Sequence, residues 1–420
     1  MFGTKAAKFP KVNSLKRHLN IYQRIIDLVF RPMHLGRLVI ALPDGQMLSY
    51  GMGQGGVTAN IKIINNNFFK KCVLFGDVGF GESYVDGDWE TDDITKVIEW
   101  MIINVDNHPT LMSDKHKHAP VNFLKILNNM ISFYRKNSLI GSRKNIGAHY
   151  DLGNEFYQLF LDPSLTYSSA YFKNMEQSLE DAQYQKYEEL CRKARLKKTD
   201  HVLEIGSGWG GFAIYAAKNY GCRITTVTIS REQFKYVLQR IAHERLTDKI
   251  TVELRDYRDI EGKFDKIVSI EMLEAVGHEY YHSFFQQCHQ LLKKDGLLAL
   301  QVILSPDNRY ESFRKNIDWI QKHIFPGSLL PSMAIIQKNI NQTGDLNLYH
   351  FEDITSHYVR TLDIWHDNFN KKLEQIKSLD FDQQFIRKWN YYLCYCEAAF
   401  STRNISVAQL IFSRSNNASL

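Results

Sequence analysis

From residue 199 to residue 304 the chain alternates short apolar runs with longer segments of helical period. HVLEIG, RITTVTIS, TVELRDY, FDKIVSIEML and LLALQVI read as buried strands, and 210–219, 231–245 and 279–293 read as helices between them. Strands alternating with helices predict a mostly parallel sheet covered on both faces. Residues 34–90 differ: LGRLVIALPDGQMLSYG, ANIKIINNNFFKKCVLFG and VGFGESYVDGDWETDD alternate apolar runs with turn residues, which predicts strands joined by turns. Residues 94–104 read as a helix and 105–121 as a linker. In NFLKILNNMISFYRK, Phe123, Ile126, Leu127, Met130, Ile131 and Tyr134 fall at helical spacing, with Lys125, Asn128 and Asn129 opposite. Such a helix either packs on a neighbouring domain or lies on an anionic lipid surface. The pattern predicts an N-terminal domain at 1–135, a polar and basic linker at 136–148, and a second domain at 149–420.

At 420 residues the chain exceeds what one core organises, which agrees with more than one domain. With 44% hydrophobic and 23% charged residues, it is neither collagenous nor disordered nor a disulfide scaffold. No apolar run approaches the roughly twenty residues that span a bilayer, and no secretory h-region follows the basic N-terminus. The expected location is therefore cytoplasmic. The cysteines Cys72, Cys191, Cys222, Cys288, Cys394 and Cys396 show no paired two-residue spacing of a zinc or redox site. His108, His116 and His118 lie in a polar stretch without a second ligand cluster, so no metal is expected. Net charge is +6, but residues 1–40 and 112–145 are strongly basic and the remainder is acidic. That asymmetry suits an anionic partner. Zinc-finger spacings, basic zippers and aromatic RNA-binding signatures are not visible, so nucleic acid is not the expected partner.

EIGSGWGG, at 204–211, joins the first strand of the alternating region to its helix. Gly206, Gly208 and Gly211 satisfy a dinucleotide fingerprint, so a nicotinamide oxidoreductase is one reading. That fingerprint also wants an acid about twenty positions on, whereas the second strand ends in Thr226, Val227, Thr228, Ile229 and Ser230. Glu204 instead precedes the first glycine. An acid followed by Gly-x-Gly-x-Gly suits a sulfonium cofactor without phosphate, for which close backbone approach and a nearby carboxylate matter most. Asp256, after the third strand, can accept from an exocyclic amine and Tyr257 can stack on a base; Asp256 is equally a strand-end turn residue. A lipid carrier that keeps this fold without chemistry is a third reading, which the intact Glu204, Gly206, Gly208 and Glu274 oppose.

The ring-rich HYDLGNEFYQLFLDPSLTYSSAYF opens the second domain, and VLEIGSGWGG, VTISREQ, RDYRDI, EMLEAVGHEYY, HIFPGSLLPS, HYVRTLDIWHDNF and YYLCYCEAAF follow in order. Together these resemble the cyclopropane-fatty-acyl-phospholipid synthases and their mycolic-acid relatives, closely over 149–413 and more loosely upstream. The resemblance implies an α/β protein with a class I methyltransferase-type doubly wound sheet, an added helical lid and a smaller α+β N-terminal domain. It implies methylene transfer from S-adenosylmethionine to the cis double bond of an unsaturated acyl chain in phospholipid, forming a cyclopropane. The alternative is a methylene- or methyl-branched product.

By motif, the resemblance assigns cofactor contacts to Tyr167, Ser168, Val202, Leu203, Glu204, Ile205, Gly206, Ser207, Gly208, Trp209, Gly210, Thr228, Ser230, Gln233, Asp256 and Tyr257. It assigns the catalytic cysteine to Cys396. It further implies a bound bicarbonate as base, held by Glu274, Tyr358 and the backbone of Ile303, with Ser169 and Gln301 in places where relatives carry Cys and His. It also suggests a homodimer and peripheral attachment to the inner face of the membrane. Chemically, an alkene that attacks a sulfonium methyl becomes a carbocation. Aromatic faces stabilise such a cation by about 0.5–2 kcal/mol each without bonding to it. The segment 149–172 is accordingly expected to be a ring-lined lid over the glycine loop.

Overall fold

A computed structural model describes residues 19–106, 152–174, 176–418 and 420. The chain divides into two compact units, Met1–Lys117 and His118–Leu420. The linker expected at 136–148, the amphipathic segment 122–136 and the three linker histidines lie outside the described residues.

In the first unit, the alternating stretch gives β1 (Leu35–Ala41), β2 (Met47–Tyr50) and β3 (Gln54–Ile63), and a short β4 (Trp89–Glu90) closes a sheet of order β2-β1-β3-β4. Every second residue of β1 is buried, as one-sided packing requires. Helices α1 (Ile21–Phe30), α2 (Asn67–Val85) and α3 (Ile94–Asp106) accompany it. The helix read at 94–104 is there. The strand reading of FFKKCVLFG and VGFGESYV is corrected, because both belong to α2, kinked where Gly76 takes φ +60°. Phe68, Phe69, Phe80 and Trp89 interlock there, so ring packing holds a helix that three internal glycines disfavour.

The second unit is built, among its described residues, on a seven-stranded sheet of order β10-β11-β9-β8-β5-β6-β7. Its strands are β5 (His201–Ile205), β6 (Arg223–Thr228), β7 (Ile250–Leu254), β8 (Phe264–Ile270), β9 (Leu292–Leu304), β10 (Leu346–Asp353) and β11 (Ser406–Arg414). The pairs β5/β6, β6/β7, β5/β8 and β8/β9 are parallel, and β11 runs antiparallel to both β9 and β10. The helices are α4 (Asn154–Gln158), α5 (Leu179–Lys193), α6 (Gly211–Tyr220), α7 (Arg231–His243), α8 (Tyr281–Leu291), α9 (Tyr310–Lys315), α10 (Trp319–His323), α11 (Met333–Thr343), α12 (Thr355–Lys371), α13 (Leu373–Ser378) and α14 (Gln383–Ser401). One core holds Val202 with side chains of α5, α6 and α7, and another holds Leu203 and Ile205 with side chains of α8 and α11. Adjacent residues of a strand point to opposite faces, so β5 feeds both layers, as β6, β8, β9 and β11 also do. The expected doubly wound α/β fold is present. The order of connection reverses between β5 and β8, and open α/β sheets bind ligands in the crevice at the carboxyl ends of strands flanking such a switch.

Candidate active site

A cavity of about 350 Å³ opens at those carboxyl ends. Its floor is the glycine loop after β5. Gly206 sits at φ +94°, and a Cβ there would come within 3.2 Å of the Met272 side chain, so the backbone fits only as glycine. Glu204, Ile205, Gly206, Ser207, Gly208 and Trp209 all line the cavity, as do Tyr167, Ser168, Thr228, Gln233, Asp256 and Tyr257. Four expected contacts do not. Val202 and Leu203 are fully buried in the two cores. Gly210 and Ser230 instead start α6 and α7, Gly210 through a left-handed backbone and Ser230 through a hydroxyl that accepts from the Gln233 amide.

Thr226 donates to Glu204 Oε2 at 2.5 Å, and burial pushes the Glu204 carboxyl up to about 8. Asp256 meets both of its expected descriptions. It caps the turn after β7, accepts a two-pronged bond from the Arg258 guanidinium at 2.8 Å on each oxygen, and still faces the cavity. Lys186 of α5 is buried beneath the loop and donates to Ser168 Oγ at 2.7 Å. Burial pulls its ammonium down to about 7 despite the carboxylates of Glu271, Asp162 and Glu204 around it.

The opposite wall carries the residues expected to do chemistry. Glu274, Tyr358, Ile303 and Cys396 line the cavity. The Ile303 amide donates to Glu274 Oε1. Glu274 Oε2 is buried with no partner among the described residues, and burial together with the Glu271 charge pushes this carboxyl up to about 8. Such an orphaned oxygen calls for a polar or cationic ligand group. Ser169 and Gln301 are almost wholly buried and stand behind the wall. The Ser169 hydroxyl donates to Ala170 O, and Gln301 Oε1 accepts from Gln409 Nε2. Burial pushes the Cys396 thiol up, so it is a neutral wall group at physiological pH rather than a thiolate nucleophile.

One site residue escaped the sequence reading. Glu271, at the end of β8, takes φ +48°, a left-handed backbone that costs a non-glycine residue on the order of 1–3 kcal/mol. Its amide donates to Gln301 O at 2.7 Å, and its side chain faces the cavity. Ser169 N and Gln301 Nε2 each donate to Oε1 at 2.8 Å, and the Tyr358 hydroxyl donates to Oε2 at 2.8 Å. EMLEAVG holds two glutamates, and the resemblance singled out the second. The available signal was an acid directly after the apolar end of a strand, in IVSIE.

The ring-rich stretch is only partly a lid. Phe156 and Phe160 are fully buried against Trp389, Phe385, Phe369 and Trp365 of α12 and α14, so they are core, while the equally buried Tyr157 packs on Tyr167 and on Trp209 of the glycine loop. Tyr167 does reach the cavity, sharing a 2.8 Å hydrogen bond with the Tyr392 hydroxyl. Phe325, Tyr358, Tyr392 and Phe400 complete an aromatic wall, with Tyr358 stacked on Phe400 at 4.5 Å. Among the described residues, no cluster of His, Cys, Asp and Glu could hold a metal ion, and no disulfide links the cysteines.

Comparison with known proteins bears on this arrangement. Residues 137–410 match the mycolic acid cyclopropane synthetase family. The chain is 36% identical over 341 residues to the tuberculostearic acid methyltransferase UfaA1 of Mycobacterium tuberculosis, covering 80% of this chain and 78% of that one. It is 35% identical over 364 residues to the cyclopropane-fatty-acyl-phospholipid synthase of Escherichia coli, covering 86% and 89%. Among solved structures, mycolic acid cyclopropane synthase CmaA1 complexed with SAH and CTAB superposes with a TM-score of 0.60 at 30% identity, over 65% of this chain and 98% of that one. The family match, those identities and the cavity beside the glycine loop lead to one assignment: the chain belongs to the mycolic acid cyclopropane synthetase family of S-adenosylmethionine-dependent methyltransferases.

Proposed function

We propose that this enzyme methylates the cis double bond of an unsaturated fatty acyl chain in phospholipid and closes a cyclopropane there. The observation that carries this reading is a cavity wall that sets two carboxylates, Glu271 and Glu274, among the rings of Tyr167, Phe325, Tyr358, Tyr392 and Phe400, with the thiol of Cys396 held neutral. S-adenosylmethionine, when bound, supplies an electrophilic methyl group on a cationic sulfur. The protein's residues fit it: the backbone at Gly206 and Gly208 admits close approach, and Glu204, Asp256 and the unpartnered oxygen of Glu274 offer polar partners to its amine and hydroxyl groups. Tyr167 and Ser168 border the same space from the other side.

The alkene carbon bonds to the methyl carbon as the carbon–sulfur bond breaks, leaving positive charge on the neighbouring chain carbon. The aromatic wall stabilises that charge by about 0.5–2 kcal/mol per desolvated ring and cannot capture it. A carboxylate of the wall then removes a proton from the new methyl group, and the C–H electron pair closes the ring. A branched product is the second reading, favoured by the 36% identity to the tuberculostearic acid methyltransferase. A hydride shift before the same proton loss would give a methylene branch.

Action at a bilayer surface completes the proposal. No helix of the described residues is long and apolar enough to cross a membrane. Ile21, Ile25 and Leu28 form an exposed stripe on α1, inside the basic N-terminal segment, and each Lys or Arg near anionic lipid contributes about 1 kcal/mol. The test is incubation with methyl-labelled S-adenosylmethionine and vesicles of unsaturated phospholipid. Label is expected in the acyl chains, and NMR of those chains is expected to show ring protons. Label confined to soluble small molecules would sink the proposal, and a methylene signal would establish the second reading.

A further inference from the structure

We infer that the carboxylate of Glu271 is itself the general base of this reaction and occupies the seat that a bound bicarbonate would need. The inference rests on the acyl methylation proposed above and names the group that takes the proton. A bicarbonate does not fit this wall. The groups expected to hold one are already turned on Glu271: Ser169 through its amide and Gln301 through Nε2 on one oxygen, Tyr358 on the other. The Ser169 hydroxyl points back to its own chain, and the Ile303 amide serves Glu274. A second anion would meet the charge of Glu271, with Ser169, Gln301 and Tyr358 already donating to that carboxylate.

The same bonds decide which of the two glutamates carries charge. Glu271 accepts three hydrogen bonds, on both of its oxygens, and lies in the field of buried Lys186, whereas Glu274 is served by main-chain amides alone, those of Ile303 and of its own residue, and one of its oxygens has no partner among the described residues. Donors directed at a carboxylate favour its charged form, and two carboxyls in one enclosed wall do not both ionise freely. Burial raises both; Glu271 stays above its ordinary value, but its donors and Lys186 offset part of that rise, whereas the Glu271 charge raises Glu274 further. The left-handed backbone at residue 271 aims the side chain at this site, and its amide is pinned to Gln301. A carboxylate has about four lone-pair positions, so three donors leave one for the substrate proton. In the step itself, that oxygen bonds the proton leaving the new methyl carbon. The freed electron pair forms the third ring bond or, after a hydride shift, an exocyclic double bond. The resulting acid returns its proton to water.

The test uses the full chain with methyl-labelled S-adenosylmethionine and unsaturated phospholipid vesicles. Turnover is expected to be unchanged in buffer stripped of carbon dioxide and bicarbonate. Glu271→Gln is expected to lose at least about a hundredfold in turnover, within the range for a positioned general base, while binding S-adenosylhomocysteine normally. Cation that still forms should partition to chain alkenes or alcohols, a product shift that a merely structural defect would not give. Turnover by the parent enzyme that falls on bicarbonate removal and returns on its addition would overturn the inference without recourse to any variant. Near-parental turnover by Glu271→Gln would do the same. Absence of label from acyl chains with the parent enzyme would instead overturn the functional proposal beneath it.

Discussion

Glu271 and Glu274 lie three residues apart, and their surroundings give them opposite tasks. The Glu274 carboxyl, pushed to about 8 by burial, keeps its proton in the folded state while the unfolded chain loses its own near 4.5. The folded protein then binds more protons than the unfolded one between those values, so this group withdraws stability as pH rises from about 4.5 to about 8. Glu274→Gln removes the titration. Its melting temperature relative to the parent is expected to improve steadily from pH 5 to pH 8, and a pH-independent difference by calorimetry would contradict that. Tyr358→Phe deletes one donor to Glu271. A hydrogen bond to a charged group is worth about 1.5–3 kcal/mol, so turnover is expected to fall roughly 10- to 100-fold with cofactor binding intact. Cys396, as a neutral wall thiol, is expected to tolerate replacement by Ser with less than about a tenfold loss, or about 1.4 kcal/mol. A loss of several orders of magnitude would restore it as a reacting group.

The elements hold these residues by close packing around the glycine loop. Gly211, the first residue of α6, sits against Tyr187 of α5, and an added Cβ would collide with that hydroxyl and crowd Thr166. Gly211→Ala is expected to destabilise the second unit by about 1–3 kcal/mol and to weaken S-adenosylhomocysteine binding. Adding Tyr187→Phe should recover part of both losses, and a calorimetric double-mutant cycle reads that coupling. At this scale the five parallel strands were legible, because strands between two helical layers carry short apolar runs set off by helical segments, even where the edge strand β7 is only partly buried. The stretch that forms α2 misled for the converse reason: Gly76, Gly79 and Gly81 read locally as turns, yet only Gly76 leaves the helical backbone, as its kink, while ring packing on Trp89 holds the helix around it. Phe156 and Phe160 were legible as part of a ring cluster but not as core, since the Phe and Trp side chains of α12 and α14 that bury them come from residues more than 200 positions away.

For the whole molecule, the glycine loop, the two carboxylates and the aromatic wall converge only after β5, β8 and β9 stand side by side. A ligand that binds this assembled state alone stabilises it by mass action, about 2.7 kcal/mol at a hundredfold excess over its Kd. S-adenosylhomocysteine is expected to raise the melting temperature and to slow amide exchange in peptides covering 204–211 and 271–274; protection elsewhere only would displace the site. The sequence by itself determined the strand and helix order, the glycine loop and its preceding acid, because these depend on local period and on backbone freedom carried by a few contiguous residues. Only the tertiary structure decided the role of Glu271. Its three donors come from residues 169, 301 and 358, on separate elements, and their hydrogen bonds exist only once the sheet has brought those elements together.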